Sequence, residues 1–264
     1  MPKTFLDTIV HHKQREIDAA KRKRPVAKLV RHIRCEGPRR SLIQALSRKD
    51  RVNIIAEIKR ASPSKGVLCR TIDAAKTAKA YELSGAAAIS VLTDRRFFKG
   101  SSQDLIQVKT ITTIPILRKD FILSKYQIFE SAAMGADAIL LIVRLLKTAQ
   151  LQKYLQLCRD LKMEALVEVH SPEDMVNASQ TDARLIGINN RDLATFDTQI
   201  STALKMKNML GANQIPVVAS GIRNETDIQR NCQEGLNNFL IGESLVRADR
   251  PAERLKSYLE VPFA

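Results

Sequence analysis

The chain has 264 residues, 44% of them hydrophobic, and no low-complexity tract, which excludes a disordered protein and leaves room for one large domain or two small ones. Its net charge of +15 favours contact with nucleic acid, an anionic membrane or anionic metabolites. No apolar run approaches the roughly 20 residues that cross a bilayer, and the opening MPKTFLDTIVHHKQREI is charged where a signal peptide needs an apolar stretch, so a cytoplasmic protein without membrane contact is expected.

Residues 1–45 lie outside the repeat that follows. Phe5, Ile9, Val10 and Ile17 form an amphipathic stripe, and a basic stretch, KRKRPVAKLVRHIR, spans 21–34. This reads as an appended helical extension able to cap the mouth of the main domain, 46–264. The basic stretch lacks interleaved aromatics and any recognised nucleic-acid motif, so a solvated helix face is the preferred reading. Cys35, Cys69, Cys158 and Cys232 show no CxxC or Cys/His spacing and read as reduced thiols, with no metal site implied.

From residue 53 onward, short β-rich runs alternate with segments of helical period, as in βα units with a parallel sheet. Strands are expected at 53–58, 86–92, 114–118, 137–143, 164–169, 184–189, 215–219 and 237–241. Helices are expected at 73–84, 103–112, 124–134, 148–161, 171–179, 197–210, 224–234 and 251–259. Eight units point to a closed α/β (β/α)₈ TIM barrel rather than an open Rossmann sheet. Gly85 and Gly135 fit the ends of helices that feed the next strand.

Alternation along a strand places Ile55, Glu57 and Lys59 on one face of NIIAEIKR and Ile54, Ala56 and Ile58 on the other. If the apolar set packs on the helices, Glu57 and Lys59 face the lumen, where charge is costly unless paired or at the solvated C-terminal mouth. Other strand ends carry the same signature: Lys119 in PILRKDF, Glu168 in ALVEVH, and Asn189 with Arg191 in IGINNRDL. Polar residues at the same end of four strands suit a catalytic constellation better than packing. Ser220-Gly221 and Gly242-Glu243, after the seventh and eighth strands, suit backbone N–H binding of phosphate, the glycines letting the backbone approach the ligand. Glu243 would then have to turn its carboxylate toward solvent or a cation.

With these residues assembled, the sequence resembles the indole-3-glycerol phosphate synthase family nearly end to end. FLDTIVHHKQREI, IIAEIKRASPSKG, SVLTDRRFFKGS, PILRKDFI, GADAILLIV, LVEVH, IGINNRDL, ASGI and IGESLV stand in the family's order and spacing. Ending after the eighth helix, the chain looks like the monofunctional form.

The resemblance implies cofactor-free ring closure of 1-(o-carboxyphenylamino)-1-deoxyribulose 5-phosphate to indole-3-glycerol phosphate, with loss of carbon dioxide and water. It implies Lys119 as the acid for ring closure, with a second acid/base pair drawn from Glu168, Glu57 and Lys59. A lysine at a dry mouth among other cations is expected to have a lowered pKa. By the same resemblance, Lys59 and Arg191 lie near the substrate's anionic groups, Asn189 near its hydroxyls and Phe98 against the anthranilate ring, with Ser62 joining when its loop closes. One departure is Ala219, where many relatives have Glu beside the catalytic glutamates. Arg118 should point away from the lumen, without effect on chemistry.

The implied partner is a small substrate carrying carboxylate and phosphate, with no specific nucleic acid and no membrane, and a monomer or weak homodimer is expected. Competing readings are another phosphate-binding barrel, such as phosphoribosylanthranilate isomerase, which lacks a motif like EIKRASPSKG, and a basic scaffold that binds nucleic acid.

Overall fold

The computed structural model describes residues 5–33, 38–192 and 197–262. Arg34, Cys35 and Leu193 of the sequence features above fall outside them. Eight parallel strands close a barrel: β1 (Asn53–Ile58), β2 (Ala88–Leu92), β3 (Ile116–Lys119), β4 (Ala138–Ile142), β5 (Glu164–Val169), β6 (Leu185–Asn189), β7 (Ile215–Ala219) and β8 (Asn238–Ile241). Each strand pairs with the next in sequence, and β8 returns to β1 through Asn53↔Asn238 to Ala56↔Ile241.

Side-chain alternation sorts the core into two shells. Ile54, Ala56, Ile58, Ile89, Val91, Ile139, Leu141 and Val167 point outward into the layer under the helices. Ile55, Ala88, Leu117, Leu140, Leu166, Leu185, Val217 and Leu240 fill the lumen. The barrel is therefore a packed core, and the inward-facing Glu57, Glu168 and Asn189 emerge at its C-terminal mouth.

The chain opens with α1 (Phe5–Lys23), α2 (Val26–Ile33) and α3 (Leu42–Leu46). The outer layer includes α4 (Ala74–Leu83), α5 (Arg95–Phe98), α6 (Ser102–Ile111), α7 (Lys125–Ala133), α8 (Thr148–Asp160), α9 (Pro172–Ser179), α10 (Ser201–Met206), α11 (Glu225–Cys232), α12 (Glu243–Val246) and α13 (Pro251–Leu259). Local chemistry sets many of their starts. Ser124 and Gln127 form a capping box at α7, while Asp73, Ser171 and Asn224 each accept a backbone N–H at the first turn of α4, α9 and α11.

Only the expected helix at 197–210 differs materially. Residues 198–199 fold back on the end of β6, with an Arg191↔Thr198 bridge and Gln199 N donating to Asn190 O at 2.9 Å. Those backbone groups are thereby committed, so α10 starts at Ser201 and its last turn tightens into a 3₁₀ turn at Lys207–Met209.

The extension works at both ends of the barrel. Phe5, Leu6 and Ile9 of α1 line the mouth. Leu42 and Leu46 of α3 are buried in the lumen cluster, and Ser41 Oγ and Ile43 N donate to the Glu164 carboxylate at 2.7 and 2.8 Å, where β5 begins. Between them, Ile17 and Leu29 pack on Tyr126 and Ala133 of α7.

Candidate active site

A cavity of about 870 Å³ occupies the C-terminal mouth, and all twelve residues singled out from the sequence line it: Glu57, Lys59, Ser62, Phe98, Lys119, Glu168, Asn189, Arg191, Ser220, Gly221, Gly242 and Glu243. The lumen face of β1 presents Glu57 and Lys59 as an ion pair at 2.7 Å. Across the mouth, Lys119 Nζ lies 3.4 Å from Glu168 Oε2. His170 follows on the same face as Glu168, its Nε2 3.3 Å from Oε1 and its backbone N donating to Asp174 Oδ2 at 2.8 Å.

The titration of this pair runs against the expectation from a cation-rich mouth. Burial alone would lower the Lys119 pKa, but the charge of Glu168, then that of Glu57, outweighs it and raises the pKa above the ordinary lysine value. Glu168 mirrors this: burial pushes its carboxyl up, while the Lys119 ammonium, the His170 ring and the Asn189 amide hold it well below the usual range. The lowered lysine is thus corrected to a raised one. The near neighbours that decide the sign are carboxylates, which composition could not place. At neutral pH the pair is ammonium and carboxylate, a proton donor beside a proton acceptor at the wall of the cavity.

At the other end of the cavity the strand 7 and 8 turns meet the loops. Gly221 has φ +84°, and a Cβ there would stand 2.9 Å from Thr198 Cγ2, so the fold-back after β6 rests on the missing side chain. At Gly242 an added Cβ would collide with Glu57 Oε1. The glycine therefore makes room for a carboxylate on the neighbouring strand, a reason distinct from the ligand approach expected of it. Glu243 turns toward cations, 3.4 Å from Arg191 Nη2 and 3.3 Å from Arg247 Nε. Arg191 also reaches Ser64 Oγ at 3.3 Å, tying the β1 loop to the β6 end.

Ser62 sits in a two-stranded turn, Ala61–Ser62 against Gly66–Val67, with its hydroxyl buried and unpartnered. Phe98, at the end of α5, tilts against Phe121 with ring centroids 6.0 Å apart. Ala219 is buried in the lumen cluster beside Asn189 in register. Arg118 points outward, as expected, but into a dense polar set: it donates to Ser131 Oγ at 3.0 Å, and its Nη2 stands 2.8 Å from Glu130 and 3.1 Å from Asp120.

The family model for indole-3-glycerol phosphate synthase matches residues 6–258 of this chain. The chain belongs to that family. It is 50% identical over 249 residues to an indole-3-glycerol phosphate synthase of Syntrophobacter fumaroxidans, covering 94% of each protein. With the same-named protein of Carboxydothermus hydrogenoformans, identity is 46% over 262 residues, covering 97% of this chain and 99% of that one. A 3-hexulose-6-phosphate synthase structure from Salmonella typhimurium superposes with a TM-score of 0.64 at 11% identity over 79% of this chain, a likeness of fold.

Sequence reasoning on this indole-3-glycerol phosphate synthase family member missed several residues at the mouth. His170 was findable, since it lies two positions after Glu168 and so shares its face. Lys13, Asp94 and Asp120 form a buried cluster there, and no local pattern joins residues so far apart in the chain.

Proposed function

We propose that this chain, as a member of the indole-3-glycerol phosphate synthase family, closes the indole ring at the mouth cavity, using Lys119 as the first acid. The observation that carries this is the Lys119–Glu168 pair at 3.4 Å, buried at one end of a cavity whose other end carries the glycine turns after β7 and β8.

The ring carbon bearing the carboxylate attacks the ketone carbon of 1-(o-carboxyphenylamino)-1-deoxyribulose 5-phosphate. A C–C bond forms, the carbonyl π pair moves to oxygen, and Lys119 protonates the resulting alkoxide. Loss of carbon dioxide returns its bonding pair to the ring. Dehydration then removes a proton from the new five-membered ring and expels the hydroxyl as water, with the base and acid drawn from Glu168, Glu57 and Lys59.

The supporting roles follow the site's shape. Phe98, against Phe121, supplies an apolar wall for the anthranilate ring. Lys59 and Arg191 meet the anionic groups and Asn189 the hydroxyls, while Ser62 completes the rim. The phosphate is held by backbone N–H groups at Ser220-Gly221 and Gly242-Glu243. The reaction needs no metal or cofactor. We place it in the cytoplasm, consistent with the unpaired thiols of Cys69, Cys158 and Cys232, and assign a monomer or weak homodimer without specific nucleic-acid partners.

The decisive experiment incubates the purified protein with the carboxyphenylamino substrate and follows indole fluorescence, against a low background because the chain has no tryptophan. Rising fluorescence at a rate proportional to enzyme is expected; no product from a folded protein would refute the assignment.

A further inference from the structure

Lys13 belongs to α1, outside the barrel repeat, yet it is only 3% exposed. Its ammonium lies 2.8 Å from Asp94 Oδ2, 3.0 Å from Asp120 Oδ1 and 2.7 Å from Glu16 Oε2. Asp94 and Asp120 follow two different strands, β2 and β3, and each is coupled to a residue placed in the site. Asp94 caps α5, its Oδ1 accepting from Phe97 N at 2.7 Å and Phe98 N at 3.3 Å, so it sets where the Phe98 ring begins. Asp120 is the residue after Lys119, held by Thr93 Oγ1 and by its own bond to Phe121 N at 2.8 Å.

We propose that Lys13 is a positioning residue: by bridging Asp94 and Asp120 it locks the ends of β2 and β3 together, and so fixes Phe98 and Lys119 relative to each other. The N-terminal helix is then part of the machinery for the reaction as well as a cover over the barrel.

Three observations separate this from a stabilising ion pair. A buried pair contributes little net stability, because desolvation opposes the attraction, so energy alone is a poor reason for burying a lysine on an appended helix. The partners converge from separate strand ends flanking the cavity, and Lys13 joins them directly. The same face of α1 also grips α5 beside the cap: Phe5 stacks edge-on to Phe97 at 5.5 Å, and His12 Nδ1 stands 2.9 Å from Arg96 Nη1. Without Lys13, two buried carboxylates would face each other with one fewer cation between them, and their repulsion would spread the ends of β2 and β3 and shift Phe98 relative to Lys119.

Ring closure requires the aromatic ring and the ketone to be held in near-attack geometry. A displacement of about 1 Å at such a site can cost about 10² in rate.

The inference rests on the roles given above to Lys119 and Phe98, so Lys119→Ala is assayed in parallel. If that variant keeps full turnover, the site reading fails, whatever Lys13 does. The test itself is Lys13→Met, which keeps length and removes charge, alongside Lys13→Arg, which keeps charge. At a temperature well below unfolding, Lys13→Met is expected to lower kcat by roughly tenfold or more while KM changes less, and Lys13→Arg to recover most of the loss.

Phe97→Trp gives a single fluorophore on α5, whose anisotropy should fall when Lys13→Met is added. Should Lys13→Met alone fail to fold, Lys13→Met with Asp94→Asn removes one charge of each sign and keeps a capping side chain at 94. It is expected to fold and, with the bridge missing but the repulsion removed, to lose kcat by less than the single variant yet still measurably. Wild-type kcat in either the single or the double variant overturns the proposal.

Discussion

At the scale of single residues, the mouth is organised by carboxylates and the small residues that make room for them. Lys119→Ala removes the proposed acid without touching the packed lumen. It is expected to lower kcat by about 10² or more in a protein that still folds, with some drop in melting temperature because Glu168 loses its nearest cation, checked by thermal unfolding and by steady-state kinetics well below the transition. Because Glu168 and Glu57 raise the Lys119 pKa above the ordinary lysine value, its deprotonation should not limit the wild-type rate near neutral pH. Glu168→Gln deletes the largest upward push and leaves burial to act, so the alkaline fall in kcat should move to lower pH. Identical alkaline limbs in pH–rate profiles of the two proteins would show that Glu168 does not set the lysine's charge. The stability sign is opposite for Glu168 itself: its depressed carboxyl adds stability above the unfolded value, lost as pH falls through the folded one. Gly242→Val would drive Glu57 from its place beside Lys59, so kcat should fall along with any rise in KM, a split that pure loss of phosphate contact would not give.

Among the elements, the N-terminal extension divides its work between the two ends of the barrel. Around α3, Leu42 and Leu46 plug the lumen, Glu164 anchors Ser41 and Ile43, and Arg40 N donates to Asp137 Oδ1 at 2.9 Å. These contacts lie at the starts of strands, the end of the barrel associated with stability and not chemistry. Leu42→Ala should therefore cost about 2–5 kcal/mol in denaturant unfolding. Both kcat and KM should hold their values well below the melting temperature. A large kinetic defect from that substitution would mean that the plug end communicates with the mouth. At the mouth, α1 behaves oppositely, since its buried face meets Asp94 and Asp120, just past the ends of β2 and β3.

For the molecule as a whole, the charge of +15 suits capture of an anionic substrate and gives a weak general attraction for polyanions. Binding to duplex DNA is expected in the nonspecific range, Kd about 10⁻⁴ to 10⁻⁶ M, falling steeply with salt and indifferent to sequence. Sequence preference in a salt-titrated binding assay would count against that view.

What the amino-acid sequence determined by itself was whatever depends on neighbours along the chain. The alternation in NIIAEIKR sorted Ile54 and Ile58 from Glu57 and Lys59 because a strand has a period of two, and eight such strands with helices between them admit a closed barrel. Polar residues at strand ends then marked the mouth, and the family motifs named it. Tertiary structure decided whatever depends on which distant residues barrel closure makes neighbours. Closing β8 onto β1 sets Gly242 against Glu57, and α1 folding over the mouth drops Lys13 between Asp94 and Asp120. The sign of the Lys119 shift belongs there too. Burial and a carboxylate pull a lysine in opposite directions, and the 3.4 Å to Glu168 that decides between them is set by packing across the barrel, not by any spacing in the sequence.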